Sequence, residues 1–226
     1  MKYTMDNIAM YVPVTLRTDC LKNFIDSIRL FYPNLPVFII DNCGKYKNLG
    51  KMEEFKDLPV KFIKLNNKNP IPLTKIQWLI GLDLFCEYEA LIFSADDIVF
   101  TNPGFVEKAL RMLNNGDQIV SLSTDKDPVA YLYTFEFNEN VGFNIELKGK
   151  DSTDTDIINA VKSYYGKFPM IGRTWKSGPT KGAWMSEYLV HYNGGEDINL
   201  LLKNIGIDPG NRTSKDPNRK KIRSIK

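Results

Sequence analysis

Two adjacent carboxylates at the end of an apolar run are the residues in this sequence best suited to chemistry. Asp96 and Asp97 follow Leu91-Ile92-Phe93, a run typical of a strand buried on both faces. The dipeptide alone carries no weight, because 27 acidic residues among 226 give about three such pairs by chance. Its position matters more, since neighbouring carboxylates at a strand end repel each other unless a positive group joins them. Mg²⁺ or Mn²⁺ takes carboxylate oxygens and keeps positions open for phosphates, so the pair predicts a metal site.

Polar clusters also follow two apolar runs nearer the start of the chain. Thr15-Leu16-Arg17-Thr18 follows residues 8–14, and Asp41-Asn42 follows residues 36–40. In a parallel sheet, ligands bind at the carboxyl ends of the strands. We therefore expect these two clusters and the Asp96-Asp97 pair to share one crevice.

Helical patterns separate the apolar runs and determine how the clusters are positioned. Strands that alternate with helices at these lengths predict right-handed βαβ crossovers and a mostly parallel sheet flanked by helices. The apolar spacing and the Pro, Gly and Asn breaks predict strands at residues 8–14, 36–40, 60–65 and 90–93, and helices at residues 18–32, 51–56 and 74–88.

The second half of the chain has a different pattern. It predicts a helix at residues 105–113, a strand at 119–123, a β-hairpin formed by 131–137 and 143–147, a helix at 154–165 ended by Gly166, and a strand at 184–192. We expect one α/β domain over residues 1–210, with a first half of about 1–123 and a second half over 124–210. Residues 211–226 form a basic tail.

Composition is that of an ordinary globular protein, with 43% apolar and 25% charged residues. No apolar run approaches the roughly 20 residues that span a bilayer, and the first residues lack a signal peptide pattern, so we expect a cytoplasmic protein. The three cysteines, Cys20, Cys43 and Cys86, have no metal-binding spacing, and their odd number argues against a disulfide framework.

The basic tail has two interpretations. It is either a solvated terminus or a segment that contacts phosphates of a nucleotide, of an anionic acceptor or of nucleic acid. From residue 212 onward a single acid, Asp216, stands among seven cations: Arg212, Lys215, Arg219, Lys220, Lys221, Arg223 and Lys226.

Three segments of the first half resemble the inverting nucleotide-sugar glycosyltransferases of glycosyltransferase family 2, which have the GT-A fold. Residues 11–21 look like the V-P-x-Y-N-R-x-x-x-L opening, with Thr15-Leu16 at the Tyr-Asn positions; residues 37–42 resemble the second strand with its terminal Asp-Asn; and residues 90–105 resemble the metal-binding strand, with Ser94 in place of the first Asp of D-x-D. The resemblance implies a GT-A-like (Rossmann-like) fold and a metal site at Asp97 with Asp96. It also implies donor-binding roles for Pro13, Thr15, Arg17, Asp41, Asn42 and Asp96.

Two downstream segments extend the resemblance. Thr153-Asp154-Thr155-Asp156-Ile157 is similar to the E-D-x-D-L segment, which implies that Asp154 is the catalytic base; Asp197 and Asp156 are rival positions. A plain helix N-cap is the alternative role for Asp154. Residues 188–195 resemble the V-x-H-x-G-G strand end, which implies that His191, the one histidine of the chain, completes the metal shell. A structural histidine is the alternative.

The family resemblance implies a metal-dependent hexosyl- or pentosyltransferase that uses Mn²⁺ or Mg²⁺ and a nucleotide-sugar, most simply a UDP-sugar. The acceptor is a glycan or, through the basic tail, a hydroxymethylated DNA base, as in small phage-type enzymes that act in the host cytoplasm. Trp175 and Trp184 are candidates for a sugar-stacking platform or for the core. Two alternatives stay open: a catalytically degenerate GT-A domain that binds nucleotide or glycan without turnover, and a nucleotidyltransferase.

Overall fold

The computed structural model gives the fold of most of the chain. It describes residues 1–14, 18–42, 60–65, 73–125, 128–141, 154–173, 176–177, 184–192, 203 and 205–207. The predicted helix at 51–56, the second hairpin arm at 143–147 and the basic tail lie outside these ranges.

Short apolar strands and amphipathic helices follow one another along the described residues. The strands are β1 (Ile8–Val14), β2 (Val37–Asp41), β3 (Lys61–Lys64), β4 (Ala90–Ser94), β5 (Ile98–Phe100), β6 (Ile119–Ser121), β7 (Ala130–Thr134), β8 (Lys176–Ser177), β9 (Trp184–Met185) and β10 (Leu189–His191). The helices are α1 (Thr18–Phe31), α2 (Leu73–Leu84), α3 (Phe105–Asn114), α4 (Phe135–Asn140) and α5 (Asp154–Tyr165).

The central sheet is mostly parallel. Its order in the described part of the chain is β3-β2-β1-β4-β7-β6, in which β1 to β4 run parallel and β7 pairs antiparallel with both β4 and β6. Tyr11 on β1 is level with Phe38 on β2 and with Phe93 on β4, and Val14 is level with Asp41. The carboxyl ends of β1, β2 and β4 therefore meet at one edge of the sheet.

Helices cover both faces of the central sheet. Alternate residues of β1 point to opposite faces, so Met10 and Val12 pack with α1 and α3 while Ala9 and Tyr11 pack with α2, α4 and α5. Strands β1, β2 and β4 are buried along their whole length, as the unbroken apolar runs predict.

A second, smaller sheet lies next to α1. Its order is β5-β10-β9-β8 with antiparallel pairing throughout. One of its faces forms a separate apolar cluster with Cys20 of α1, built from Val99, Val190, Met185 and Tyr192. Strand β5 begins directly after the Asp96-Asp97 pair, so this sheet connects the pair to the C-terminal segment.

Two predictions about the second half are wrong. Residues 135–140 form the helix α4 rather than the end of the first hairpin arm and the hairpin turn, because the Thr134 side chain accepts a hydrogen bond from the Phe137 N–H and caps the helix. Residues 184–192 form two strands instead of one, because Ser186 N–H donates to Leu189 C=O at 2.9 Å and closes a turn. Strand β5 was not predicted.

The remaining predicted elements in the described residues are confirmed, with shifts at their ends. Helix α2 stops at Leu84, four residues before its predicted end, and β6 stops at Ser121. Gly166 has a φ of 74°, the left-handed conformation that ends α5 without strain. Among the described residues, no helix is long and apolar enough to cross a membrane.

Candidate metal and nucleotide site

The end of β2 places Asp41 and Asn42 at the carboxyl edge of the central sheet. Both side chains are buried, with Asp41 only 3% exposed. The Asn42 N–H donates to the Val14 C=O at 2.9 Å, and the Leu65 N–H donates to the Asp41 C=O at 3.0 Å. The backbone is thus held on both sides, which fixes the positions of these two polar residues at the carboxyl edge of the sheet.

Asp96 and Asp97 lie at the same edge, on the other side of β1. The Ala95 N–H donates to Val129 C=O at 2.9 Å, which extends the pairing with the neighbouring strand up to the acidic pair. The two aspartates are 8% and 5% exposed. Because two strand spacings separate β2 from β4, the pair stands roughly 10 Å from Asp41. This is a separation that one bound nucleotide can span.

Ser94 stands at the position of the first Asp in the family's D-x-D. It is fully buried, and its hydroxyl donates to the Ala95 C=O at 3.0 Å. A short hydroxyl that bonds its own backbone is a structural group. The carboxylates at this strand end are therefore those of Asp96 and Asp97 alone among the described residues.

Asp97 is in contact with His191, which is remote in sequence. The His191 Nε2 lies 3.4 Å from the Asp97 Oδ1, and both side chains are nearly buried. The backbone strengthens this approach, because the Tyr192 N–H donates to Asp97 C=O at 3.2 Å and His191 pairs with Ile98 across β10 and β5. The small sheet therefore holds the imidazole against the carboxylate.

Tyr192 anchors the segment that carries His191. Its ring is fully buried in the cluster around Cys20, and its hydroxyl lies beside Cys20 and Asn23 of α1. Burial raises the pKa of this hydroxyl well above its ordinary value, and the nearby charge of Asp97 acts in the same direction. The phenol therefore stays neutral, and its ring serves as a packing group in this cluster.

The donor set suits a divalent cation. A carboxylate oxygen of Asp97 and the imidazole nitrogen of His191 can occupy two positions around Mn²⁺ or Mg²⁺, and phosphate oxygens and water can occupy the others. In the part of the chain that the structure describes, no group of three His, Cys, Asp or Glu side chains is assembled. A cation held by Asp97 and His191, with Asp96 beside the pair, would therefore take further ligands from a phosphate or water.

For several other predicted site residues, the structure describes only the position in the chain or nothing at all. Pro13 is buried in β1, level with Ile40. Asp154 is the first residue of α5, and Asp156 lies half-buried in its first turn. The side chain of Asp154 lies outside the described part of the structure, as do Thr15, Arg17, Trp175 and Asp197.

Trp184 is exposed, which excludes the core and leaves the sugar-stacking platform of the two alternatives for this residue. It lies opposite His191 on β9, with 42% of its surface accessible. Sequence reasoning treated residues 184–192 as one strand and so missed this pairing, and it also missed Tyr192. The sequence signal for Tyr192 was its two-residue spacing from Val190, which places both residues on the face opposite Leu189 and His191.

Comparisons with known proteins bear on the fold. Neither the protein-family models nor the curated protein sequences give a match. A proposed nucleotide-diphospho-sugar transferase from Desulfovibrio desulfuricans G20 is similar in structure, with a TM-score of 0.53 and 12% identity over 73% of this chain and 79% of that one. The chain has the GT-A fold of nucleotide-sugar transferases.

Two further solved structures share this GT-A fold. Residues 1–349 of S. aureus TarS align with a TM-score of 0.53 and 13% identity, over 73% of this chain and 58% of that fragment. A cytidylyltransferase from Leptospira borgpetersenii aligns with a TM-score of 0.50 and 10% identity, over 73% and 74% of the two chains. The similar structures therefore include both a nucleotide-diphospho-sugar transferase and a cytidylyltransferase, so the shared fold does not by itself indicate an activity.

Proposed function

We propose that the chain is a metal-dependent, inverting glycosyltransferase that moves a hexosyl or pentosyl group from a nucleotide-sugar, most simply a UDP-sugar, to a hydroxyl acceptor. The observation that carries the proposal is the 3.4 Å contact of Asp97 and His191 at the carboxyl edge of the sheet. Asp41 and Asn42 lie at the same edge, where α/β sheets bind their ligands.

In this proposal the crevice is divided between nucleoside and diphosphate. Asp41 and Asn42 offer a carboxylate and an amide, which accept from and donate to the polar groups of a nucleoside. Pro13, Thr15 and Arg17 complete the donor side, and Arg17 is suited to a phosphate. Asp97 and His191, with Asp96, would hold Mn²⁺ or Mg²⁺, which when bound would supply Lewis-acid stabilisation for the leaving nucleoside diphosphate.

The transfer itself is a single displacement at the anomeric carbon. The acceptor hydroxyl oxygen forms the new bond from the face opposite the leaving group, the bond to the diphosphate oxygen breaks, and the configuration inverts. Asp154 takes the proton of the hydroxyl, and its place at the first residue of α5 favours the ionised carboxylate. Asp156 and Asp197 are the alternative bases.

Nucleotidyl transfer on the same fold is the weaker interpretation. Such an enzyme needs a glycine-rich, lysine-containing phosphate loop near the first strand, and here β1 is followed by Thr15-Leu16-Arg17-Thr18-Asp19. A degenerate GT-A domain is motivated by Leu16, Ser94 and Thr153, which stand where the family usually has Asn, Asp and Glu. The contact between the Asp97 carboxylate and the His191 imidazole favours an active enzyme, because it holds two metal-ligand types together at the edge of the sheet where ligands bind.

The acceptor is proposed to be a glycan or a hydroxymethylated DNA base. The DNA proposal rests on the seven cations of the tail against one acid. An enzyme with a DNA acceptor would fit a phage protein that works in the host cytoplasm.

A thermal-shift screen tests the proposed donor class. UDP-glucose, UDP-galactose, UDP-N-acetylglucosamine and GDP-mannose are each added with Mn²⁺ or with EDTA. A ligand at about 100 times its Kd stabilises the protein by about 2.7 kcal/mol, so one donor should raise Tm by several degrees only when Mn²⁺ is present. Equal shifts with EDTA would contradict the metal-bridged mode, and hydrolysis or transfer would exclude the degenerate domain.

A further inference from the structure

An exposed tryptophan lies directly beside the proposed metal position. Trp184 is 42% accessible, although large aromatic side chains are ordinarily well covered. It is paired with His191 in the register of β9 and β10, and His191 is the residue that contacts Asp97. The indole is thus one strand away from the side chains that would hold the metal.

The register places the indole and the imidazole on the same face of the small sheet. Residues directly opposite each other in an antiparallel pair have Cβ atoms about 4.5–5.5 Å apart and project to the same side. The other face is already occupied, because Val99, Val190 and Met185 pack against Cys20. The Trp184 side chain therefore projects on the side where His191 approaches Asp97.

We propose that the Trp184 indole is a stacking platform for a sugar ring held next to the metal-bound diphosphate. One face of a pyranose is a set of C–H groups that carry slight positive charge, and the face of an indole is electron-rich. Such a contact orders a ring at low entropic cost, because a tryptophan has two side-chain torsions. This inference rests on the proposed glycosyltransferase function and identifies a residue that recognises its sugar.

The sugar on this platform is either the transferred ring of the donor or the terminal ring of the acceptor. Both present the same C–H face, and both must lie beside the diphosphate when the bond forms. If the ring belongs to the donor, donor affinity depends on Trp184. If it belongs to the acceptor, the KM for the accepting sugar depends on Trp184.

Binding of donor and bare nucleotide by Trp184→Ala tests the first source. Isothermal titration in Mn²⁺ compares UDP with UDP-glucose, UDP-galactose and UDP-N-acetylglucosamine, and GDP with GDP-mannose. A donor platform predicts that Kd for the nucleotide-sugar rises about 5- to 30-fold while Kd for the nucleoside diphosphate changes less than about twofold. Trp184→Phe should recover most of the affinity, because it keeps an aromatic face.

Transfer to glucose, galactose, mannose and N-acetylglucosamine, with donor hydrolysis measured in parallel, tests the second source. An acceptor platform predicts a KM for the accepting sugar about 5- to 30-fold higher in Trp184→Ala, with unchanged hydrolysis. The matched control is Phe135→Ala, which removes an aromatic ring of similar exposure at the opposite edge of the sheet and should leave both constants unchanged.

A direct spectroscopic readout does not depend on the behaviour of the alanine variant. Trp78→Phe/Trp175→Phe leaves Trp184 as the single tryptophan, since the chain has three. Its emission should change when the nucleotide-sugar or accepting sugar binds, and change much less with UDP or GDP alone.

Two results would contradict the proposed stacking role of Trp184. One is unchanged donor Kd and acceptor KM in Trp184→Ala; the other is an equal loss of affinity for UDP and UDP-sugar, which would mean that Trp184 shapes the metal position. A different measurement tests the underlying glycosyltransferase function. If the wild-type protein shows no Mn²⁺-dependent nucleotide binding, that function fails, and the proposed role of Trp184 fails with it.

Discussion

At the scale of single residues, the site depends on one contact between segments about ninety positions apart. Asp97 ends the segment after β4, and His191 ends β10, yet their side chains lie 3.4 Å apart. The Tyr192 N–H bond to the Asp97 C=O fixes the same approach through the backbone. The sequence segments around Asp97 and His191 are each weakly specific as motifs. They support a common site because the fold brings the carboxylate and the imidazole into contact.

Removal of the imidazole should weaken the metal more than it weakens the fold. In His191→Ala we expect Mn²⁺ affinity, measured by titration in the presence of UDP, to fall about 10- to 100-fold. The control is Asp125→Asn, which breaks the partly exposed Lys162–Asp125 pair and should change Mn²⁺ affinity less than about twofold. Unchanged Mn²⁺ affinity in His191→Ala would show that the histidine is structural.

A pair of buried hydroxyls makes a prediction about stability. The Tyr11 and Tyr133 hydroxyls are 2.9 Å apart in the core, and burial raises the pKa of both well above the ordinary value, so both stay neutral. Tyr133→Phe leaves the Tyr11 hydroxyl without this partner and should cost about 1–3 kcal/mol in urea unfolding. Tyr11→Phe/Tyr133→Phe should cost clearly less than the sum of the two single changes; strict additivity would contradict a coupled pair.

The acidic and amide residues of the crevice could be predicted from the sequence, because each follows a buried run. The strand periodicity placed Asp41, Asn42, Asp96 and Asp97 at one edge, and the structure confirms that edge. The exposure of Trp184 could not be predicted, since it depends on which face of a two-residue strand is covered by α1.

At the scale of elements, a glycine joins the segment after α5 to the edge of the central sheet. The Gly172 N–H donates to the Ser123 C=O at 2.9 Å, and the neighbouring Met170 bridges to Ser121 in parallel. A Cβ at Gly172 would stand 2.1 Å from the Ser123 carbonyl oxygen, a backbone atom that cannot rotate away. The close approach of these two segments therefore requires glycine.

Alanine at this position should destabilise the protein strongly. We expect Gly172→Ala to cost about 3 kcal/mol or more in urea unfolding, because the backbone must separate. Gly81→Ala in α2 is the matched control: its Cβ would meet side-chain atoms at 3.3 Å and 3.4 Å, and alanine favours the helix, so its cost should stay within about 1 kcal/mol of zero. Equal stabilities for the two variants would contradict the close approach.

The elements of the first half were predictable for a physical reason. Its strands are buried on both faces, so they appear as unbroken apolar runs between helices. The small sheet lacks such runs: β5, β8, β9 and β10 have three residues or fewer, too short to show a period. The alternation at 131–137 indicated a strand, but the cap at Thr134 converts its end into α4.

At the scale of the whole molecule, the basic tail makes a prediction about the acceptor. If DNA is the acceptor, deletion of residues 212–226 should weaken binding to duplex DNA and reduce the slope of log K against log salt, by up to about 0.9 for each phosphate that the tail neutralises. Filter binding or fluorescence anisotropy over about 50–200 mM salt measures the slope. The same slope and affinity in the truncated protein would remove the proposed role of the tail.

The edge of the main sheet and the small sheet beside it together carry the proposed site residues. The main sheet supplies Asp41 and the Asp96-Asp97 pair, the small sheet supplies His191, and α5 begins with Asp154. A GT-A enzyme would need all three parts at once, since the nucleotide, the diphosphate and the acceptor proton are handled by different groups.

The most direct test is the rate of nucleoside diphosphate release from the donor found in the screen, with Mn²⁺ present, for the wild-type protein and for Asp97→Asn. Circular dichroism and urea unfolding first establish that the variant is folded. We predict Mn²⁺-dependent release by the wild type and a loss of about 100-fold or more in kcat/KM for Asp97→Asn. A folded, metal-replete Asp97→Asn protein with full activity would contradict it.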